Sequence, residues 1–254
     1  MARILAITNQ KGGVGKTTTS INVAASLALA GRKVLLVDLD PQGNATMGSG
    51  VDKRGLSCSI YQVLLGAVDI TAARTRASAN YDLLPANRDL AGAEVELVDM
   101  PERETRLKGA LATIEGDYDF VFIDCPPALN LLTVNGLCAA HAVMIPMQCE
   151  YYALEGLSDL VQTIKKVRVN LNPKLEIEGL LRTMYDPRNT LAQQVSEQLQ
   201  QHFGDKVYRT VIPRNIRLAE APSHGVPALT LDRQSKGALA YLALAGEMLS
   251  KAAA

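Results

Sequence analysis

A chain that passes from a buried strand through a glycine-rich turn directly into a helix has few folds open to it, and residues 3–31 of this sequence describe such a path. The apolar run RILAIT at 3–8 reads as a strand. TTTSINVAASLALAG at 17–31 reads as a helix that stops at Gly31, a residue suited to a left-handed cap. Between them lies NQKGGVGKTT, residues 9–18. A turn of this kind, placed after a strand and before a helix, is the setting of a phosphate-binding loop. The backbone of Gly12, Gly13, Val14 and Gly15 turns its N–H groups inward without Cβ clashes, and the helix N-terminus adds partial positive charge toward an anion. Lys16 is placed to neutralise β and γ phosphates, Thr17 to give its hydroxyl to Mg²⁺, and Thr18 to reach the α phosphate. A Gly-rich turn with a solvated lysine is the plainer alternative, but it does not call for strand, helix and spacing together.

RKVLLVDLD at 32–40 completes a strand-helix-strand unit, and DFVFIDCPP from 119, AVMIPM from 142 and LEIEGLLRTM from 175 read as later strands. Short apolar runs alternating with helical patterns predict an α/β fold: a doubly wound, mostly parallel sheet with helices on both faces, in a single domain over 1–254. Residues 153–169 read as a helix, and Leu191, Val195, Leu199 and Phe203, four apart, form the apolar stripe of another. The stretch from Asp40 to about Ser57, rich in Gly, Asn and Ser, reads as a loop near the strand ends where ligands bind.

Composition narrows the setting. Lys plus Arg and Asp plus Glu both count 26, so net charge favours no partner and only a local patch could hold nucleic acid. The four cysteines, Cys58, Cys125, Cys138 and Cys149, include no C-x-x-C pair, and three lie in apolar stretches, which fits reduced buried thiols in a cytoplasm. No apolar run reaches the roughly 18 residues of a membrane span. Three acidic residues matter more. Asp38 and Asp40 end one apolar strand and Asp124 ends another, positions where a carboxylate is costly unless a cation or polar network meets it. A Mg²⁺-nucleotide would do so, with Asp124 holding the metal through water.

KGGVGKTTT, VDLDPQGNAT, DCPP and IPRNIRLAEAPSHGVP together resemble the ParA/Soj chromosome and plasmid partition ATPases, within the deviant Walker A group of P-loop NTPases that also contains MinD. The resemblance spans nearly the whole chain. With the loop beginning at residue 11, it is to the short, chromosomal-type form. It implies ATP and Mg²⁺ as ligands, with Thr17, Asp38 and Asp124 around the metal and Lys11, Lys16 and Asp40 as the catalytic set. Lys11 matches the extra lysine that in relatives reaches across a homodimer to the partner's phosphates; the plain alternative is a surface lysine on a loop. Asp40 matches the residue that positions or activates the attacking water. Pro213, Arg214 and Asn215 match the adenine-contacting segment, and Met184 could pack on the ring. Equally, Pro213 could simply end the strand VYRTVI and Asn215 cap the next helix.

Lys206, Arg209, Arg214 and Arg217 lie in a segment without acidic residues. Arg188 matches a basic position that family members use for sequence-independent DNA binding. Arg188, Arg209, Arg217 and Lys236 are therefore the expected phosphate contacts, with Arg182 and Arg233 as possible extensions. The alternative is a solvated basic face, or ion pairs with Glu197, Asp205 and Glu220. The resemblance further implies an ATP-dependent homodimer, nonspecific double-stranded DNA and a ParB-like centromere-binding protein as partners, and a cytoplasmic, nucleoid-associated location. A MinD-like membrane-cycling positioning ATPase is the rival reading. Such proteins end in a basic amphipathic anchor, whereas AYLALAGEMLSKAAA carries Lys251 as its only cation and reads as a core-packed helix with no membrane role. An iron–sulfur reductase would need Cys125 and Cys138 in cluster motifs that they do not form.

Overall fold

Eight segments pair into one sheet in the computed structural model of the protein, which describes residues 1–253. In chain order the elements are β1 (Arg3–Ile7), α1 (Lys16–Leu29), β2 (Val34–Asp38), α2 (Asn44–Gly48), α3 (Ile60–Leu65), α4 (Ile70–Ala73), β3 (Thr75–Arg76), β4 (Asp82–Leu84), α5 (Leu90–Glu96) and α6 (Arg106–Ala112). The second half adds β5 (Phe120–Asp124), α7 (Leu131–Ala139), β6 (Ala142–Gln148), α8 (Ala153–Asn170), β7 (Glu176–Tyr185), α9 (Thr190–Phe203), β8 (Val207–Pro213), α10 (Ile216–Glu220), α11 (Ala228–Leu231) and α12 (Lys236–Ala253). The strands lie in the order β3-β4-β2-β5-β1-β6-β7-β8, all parallel except the β3–β4 pair. This is the doubly wound sheet that the alternation of apolar runs predicts.

Both faces are covered because the central strands are apolar on both sides. On one face Leu132 and Leu137 of α7, Leu157, Leu160 and Ile164 of α8, and Val195 and Leu199 of α9 pack with Ile4, Val121, Val143 and Leu180. On the other, Ile21 and Leu27 of α1, Leu218 of α10, and Leu244 and Met248 of α12 pack with Leu5, Leu36 and Phe122. The terminal apolar segment is thus a core helix. No described helix is long and apolar enough to cross a membrane.

The segment after Asp40 differs from the expected loop: it contains the short helix α2, which begins after Gly43 in the left-handed region (φ 60°). A Cβ on Gly43 would lie 2.7 Å from the Ala86 carbonyl oxygen, so the close approach requires glycine. The strands β3 and β4, of two and three residues, carry no alternation long enough to reveal them.

Candidate nucleotide and metal site

The site is built where β1, β2 and β5 end side by side. Backbone after β1 turns through Gly13 (φ 74°) and Gly15 (φ 88°), left-handed conformations that favour glycine, and Gly15 caps α1 without a side-chain hydrogen bond. The first-turn N–H groups of α1 are thereby left to an external acceptor. Val14 is buried, and its carbonyl accepts a 2.8 Å hydrogen bond from the Thr183 hydroxyl, pinning the loop to β7.

Lys16 opens α1, is 8% exposed, and donates from Nζ to the Lys11 carbonyl at 3.1 Å. Burial lowers its pKa, and the negative charge of Asp124 opposes that shift. Thr17 donates its hydroxyl to Asp124 Oδ2 at 2.7 Å, and Ser20 donates to Asp124 Oδ1 at 2.8 Å. On the adjacent strand Asp38 stands in register with Asp124. Its Oδ2 accepts from the Thr46 N–H (2.8 Å) and hydroxyl (2.7 Å). Both carboxylates are buried. Burial, then the charge of Asp38, pushes Asp124 up to about 7; burial also pushes Asp38 up to about 6, against the hydrogen bonds from Thr46.

Two buried acids side by side, each raising the cost of the other's charge, are the kind of arrangement a divalent ion relieves. Among the described residues no three His, Cys, Asp or Glu side chains converge as a ready-made cage. One hydroxyl and two carboxylates suit Mg²⁺, which keeps waters and takes phosphate oxygens. Asp40 is half-exposed, and its Oδ1 accepts from the Gln42 N–H at 2.9 Å. It lines one cleft with Gly12, Gly13, Gly15, Lys16, Thr17, Thr18 and Met184.

A second cleft, of about 260 Å³, continues from Gly15 and Thr18 along Met184, Pro213, Arg214 and Asn215, over an apolar floor of Ile212, Leu218 and Tyr241. The loop and the C-terminal segment therefore meet in one continuous groove. Met184 takes φ 49°, a left-handed conformation costly for a non-glycine residue by roughly 1–3 kcal/mol. β8 ends at Pro213, and Asn215 caps α10 by accepting from the Arg217 N–H at 3.0 Å. Both plain readings of those residues hold, and both residues still line the groove.

Thr46, Ser20 and Tyr241 escaped the sequence reading. Thr46 lies within VDLDPQGNAT, and its hydroxyl also accepts from the Ala86 N–H at 2.9 Å. Tyr241, buried under the groove, shares a 3.0 Å hydrogen bond with the Thr19 hydroxyl.

Lys11 lies off the phosphate cleft. Its ammonium pairs with Glu150, just past the end of β6, and both side chains are about half-exposed. The basic residues do not form one free patch. Arg182 is a correction: rather than extending a surface, it is 9% exposed and donates to Ser196 Oγ (2.8 Å) and the Tyr208 carbonyl (2.8 Å). Arg188 is exposed but bonds to Asp186, and Arg217 pairs with Glu220 and Asp232. Arg209, Arg233 and Lys236 are exposed. Cys125, Cys138 and Cys149 are buried and all four cysteines are free thiols. Burial pushes Cys138 and Cys149 up to about 11, so these are inert core thiols.

A parallel sheet with this loop after β1 and carboxylates ending β5 beside it and β2 one strand further out defines the class: a P-loop nucleoside triphosphatase of the deviant Walker A kind. Residues 2–177 match a family described as an AAA domain. The chain belongs to the ParA/Soj family of chromosome-partitioning ATPases. It is 54% identical to the sporulation initiation inhibitor protein Soj of Bacillus subtilis, over 98% of each chain. It is 51% identical to the chromosome partitioning protein ParA of Caulobacter vibrioides, over 98% of this chain and 94% of that one. The crystal structure of a Mycobacterium smegmatis protein named cobyrinic acid a,c-diamide synthase, with bound ADP and magnesium, superposes with a TM-score of 0.87 at 45% identity, covering 98% of this chain and 94% of that one.

Proposed function

We propose that residues 1–254 act as one ATPase domain in which ATP and Mg²⁺ bring two copies together, the dimer binds double-stranded DNA without sequence preference, and hydrolysis stimulated by a ParB-like, DNA-bound partner releases it. The observation that carries this reading is that Lys16, Thr17 and Asp40 line one groove, with Asp124 bonded to Thr17 and Asp38 in register with Asp124 buried behind them, in a chain so similar to named partition proteins. Lys16 neutralises the β and γ phosphates, and the loop N–H groups from Gly12 to Gly15 cradle them. Thr17, Asp38 and Asp124 hold Mg²⁺, which supplies charge neutralisation on the transferring phosphoryl group. Asp40 orients the attacking water. Lys11, released from Glu150, reaches the partner's nucleotide. Pro213, Arg214, Asn215 and Met184 enclose the base. The cycle runs in the cytoplasm, on the nucleoid.

The direct test is binding to a random-sequence duplex without nucleotide, with ADP, and with ATP plus Mg²⁺, over a salt series. Binding that requires ATP and weakens steeply with salt supports the reading through counterion release. ATP-driven dimerisation with no DNA binding in any state removes it. Arg188→Glu is expected to keep that dimerisation while weakening DNA binding at least roughly tenfold and flattening the salt slope, since reversal of a phosphate-facing charge acts once in each subunit. An unchanged slope would take Arg188 out of the contact surface.

The buried acids set a pH dependence. Asp38 and Asp124 titrate near 6 and 7 in the folded protein, above the ordinary aspartate value of about 4. Between about pH 4 and 7 the nucleotide-free fold therefore binds protons that the unfolded chain has lost, and its stability falls as pH rises through that window. Mg²⁺-nucleotide takes both carboxylates ionised, so its binding strengthens over the same rise. The gap in melting temperature between the Mg²⁺-ADP complex and the free protein is expected to widen from pH 5.5 to 7.5; a constant gap would show that the two acids do not serve the metal.

A further inference from the structure

β8 forms one edge of the sheet, and it is irregular. Against β7 the register runs Leu180↔Val207 and then Arg182↔Val211, so β8 advances four residues while β7 advances two. Tyr208, Arg209 and Thr210 take up the difference as a bulge, and side chains from two layers meet its backbone. From β7, Arg182 donates to the carbonyls of Tyr208 (2.8 Å) and Arg209 (3.2 Å), and to Ser196 of α9. From α12 on the opposite side, the Glu247 carboxylate accepts the N–H groups of Arg209 (2.8 Å) and Thr210 (2.9 Å). The Tyr208 ring, fully buried, crosses β7 above Gly179, where a Cβ would lie 2.7 Å from it.

This clamp is expensive. Arg182 is a buried cation without a carboxylate partner among the described residues, and its Nε is the one buried side-chain polar atom there that lacks a hydrogen bond. Burying a charge against two carbonyls, a hydroxyl and the Tyr185 ring, with no carboxylate to balance it, costs free energy that an apolar side chain would avoid. Nothing in the nucleotide groove uses it. A bulge re-aims the residue it carries, and the residue between the two clamped neighbours is Arg209, whose side chain is exposed. Unlike Arg188 and Arg217, Arg209 has no ion-pair partner among the described residues. Its charge is available to an external anion.

We propose that Arg182 and Glu247 are positioning residues that clamp the β8 bulge so that Arg209 is held outward as a phosphate-contacting cation at the sheet edge. This rests on the DNA-binding reading given above. A bulge that served only to blunt the edge strand would affect stability and leave the salt dependence of DNA binding alone.

The test uses the full chain with ATP, Mg²⁺ and a random-sequence duplex over a salt series. Arg209→Ala is expected to reduce the slope of log affinity against log salt by about one per subunit. Arg182→Met and the isosteric Glu247→Gln are each expected to lower slope and affinity in the same direction while ATP-driven dimerisation stays as in the unaltered chain. Arg182→Met combined with Arg209→Ala should bind no more weakly than Arg209→Ala alone, because the clamp acts through that side chain. The proposal fails if Arg209→Ala leaves the slope unchanged, if Glu247→Gln and Arg182→Met bind DNA normally, or if the double substitution is additive. Absence of DNA binding by the unaltered chain would instead overturn the DNA reading itself, before any variant is compared.

Discussion

Lys16→Ala weakens nucleotide binding: titration with a fluorescent ATP analogue is expected to show affinity lowered at least about 30-fold. Lys16 is the cation at the first position of α1, buried to 8% exposure, so in the proposed complex its ammonium would meet phosphate oxygens with little water to screen it. Truncating one partner of a buried, hydrogen-bonded charge pair costs about 2–5 kcal/mol, and each 1.4 kcal/mol is tenfold in affinity. The fold should survive, because the side chain has one hydrogen bond, to the Lys11 carbonyl, and burial already disfavours its charge. Loss of binding with an unchanged melting curve in the absence of nucleotide is therefore the signature. An ATP affinity equal to that of the unaltered chain would mean that the loop does not hold the phosphates.

Asp40→Ala separates binding from chemistry. Asp40 lines the loop cleft half-exposed, and its carboxylate accepts one hydrogen bond, from the Gln42 N–H two residues on, so removal of the side chain leaves the Asp38–Thr46 and Asp124–Thr17 pairs in place. A positioned base or water-orienting group contributes typically 10²–10⁴-fold. Single-turnover hydrolysis should fall by about that factor while ATP still binds, and the dimer should persist in gel filtration after the unaltered chain has returned to monomer. Ordinary hydrolysis by Asp40→Ala would take the water-positioning role away from this residue and leave Asp38 or a partner's side chain to fill it.

Local chemistry made the phosphate loop legible. Glycines, a lysine and two threonines between a strand and a helix carry their meaning within ten residues of chain, and a carboxylate ending an apolar strand is conspicuous wherever it occurs. Thr46, Ser20 and Tyr241 were silent because a hydroxyl acquires its task only from what folding brings to it; Tyr241 meets Thr19 across 222 positions of sequence. Arg182 misled for the same reason. In the sequence it is one more cation near a basic run, and only its place on β7, facing α9 and the β8 backbone, shows it inward. The helices between residues 60 and 112 went unassigned because they are short, at four to seven residues, and too brief to display a 3.6-residue period.

The two margins of the sheet have a consequence for how copies of this chain can assemble. One margin is β3, a two-residue strand running against its neighbour, and the other is the bulged β8, whose mid-strand N–H groups are already taken by Glu247. Neither offers the long row of open donors and acceptors that strand-by-strand addition requires. Any array that the protein builds must grow through helix and loop surfaces, leaving each sheet a closed unit that can be added or withdrawn without breaking backbone pairing.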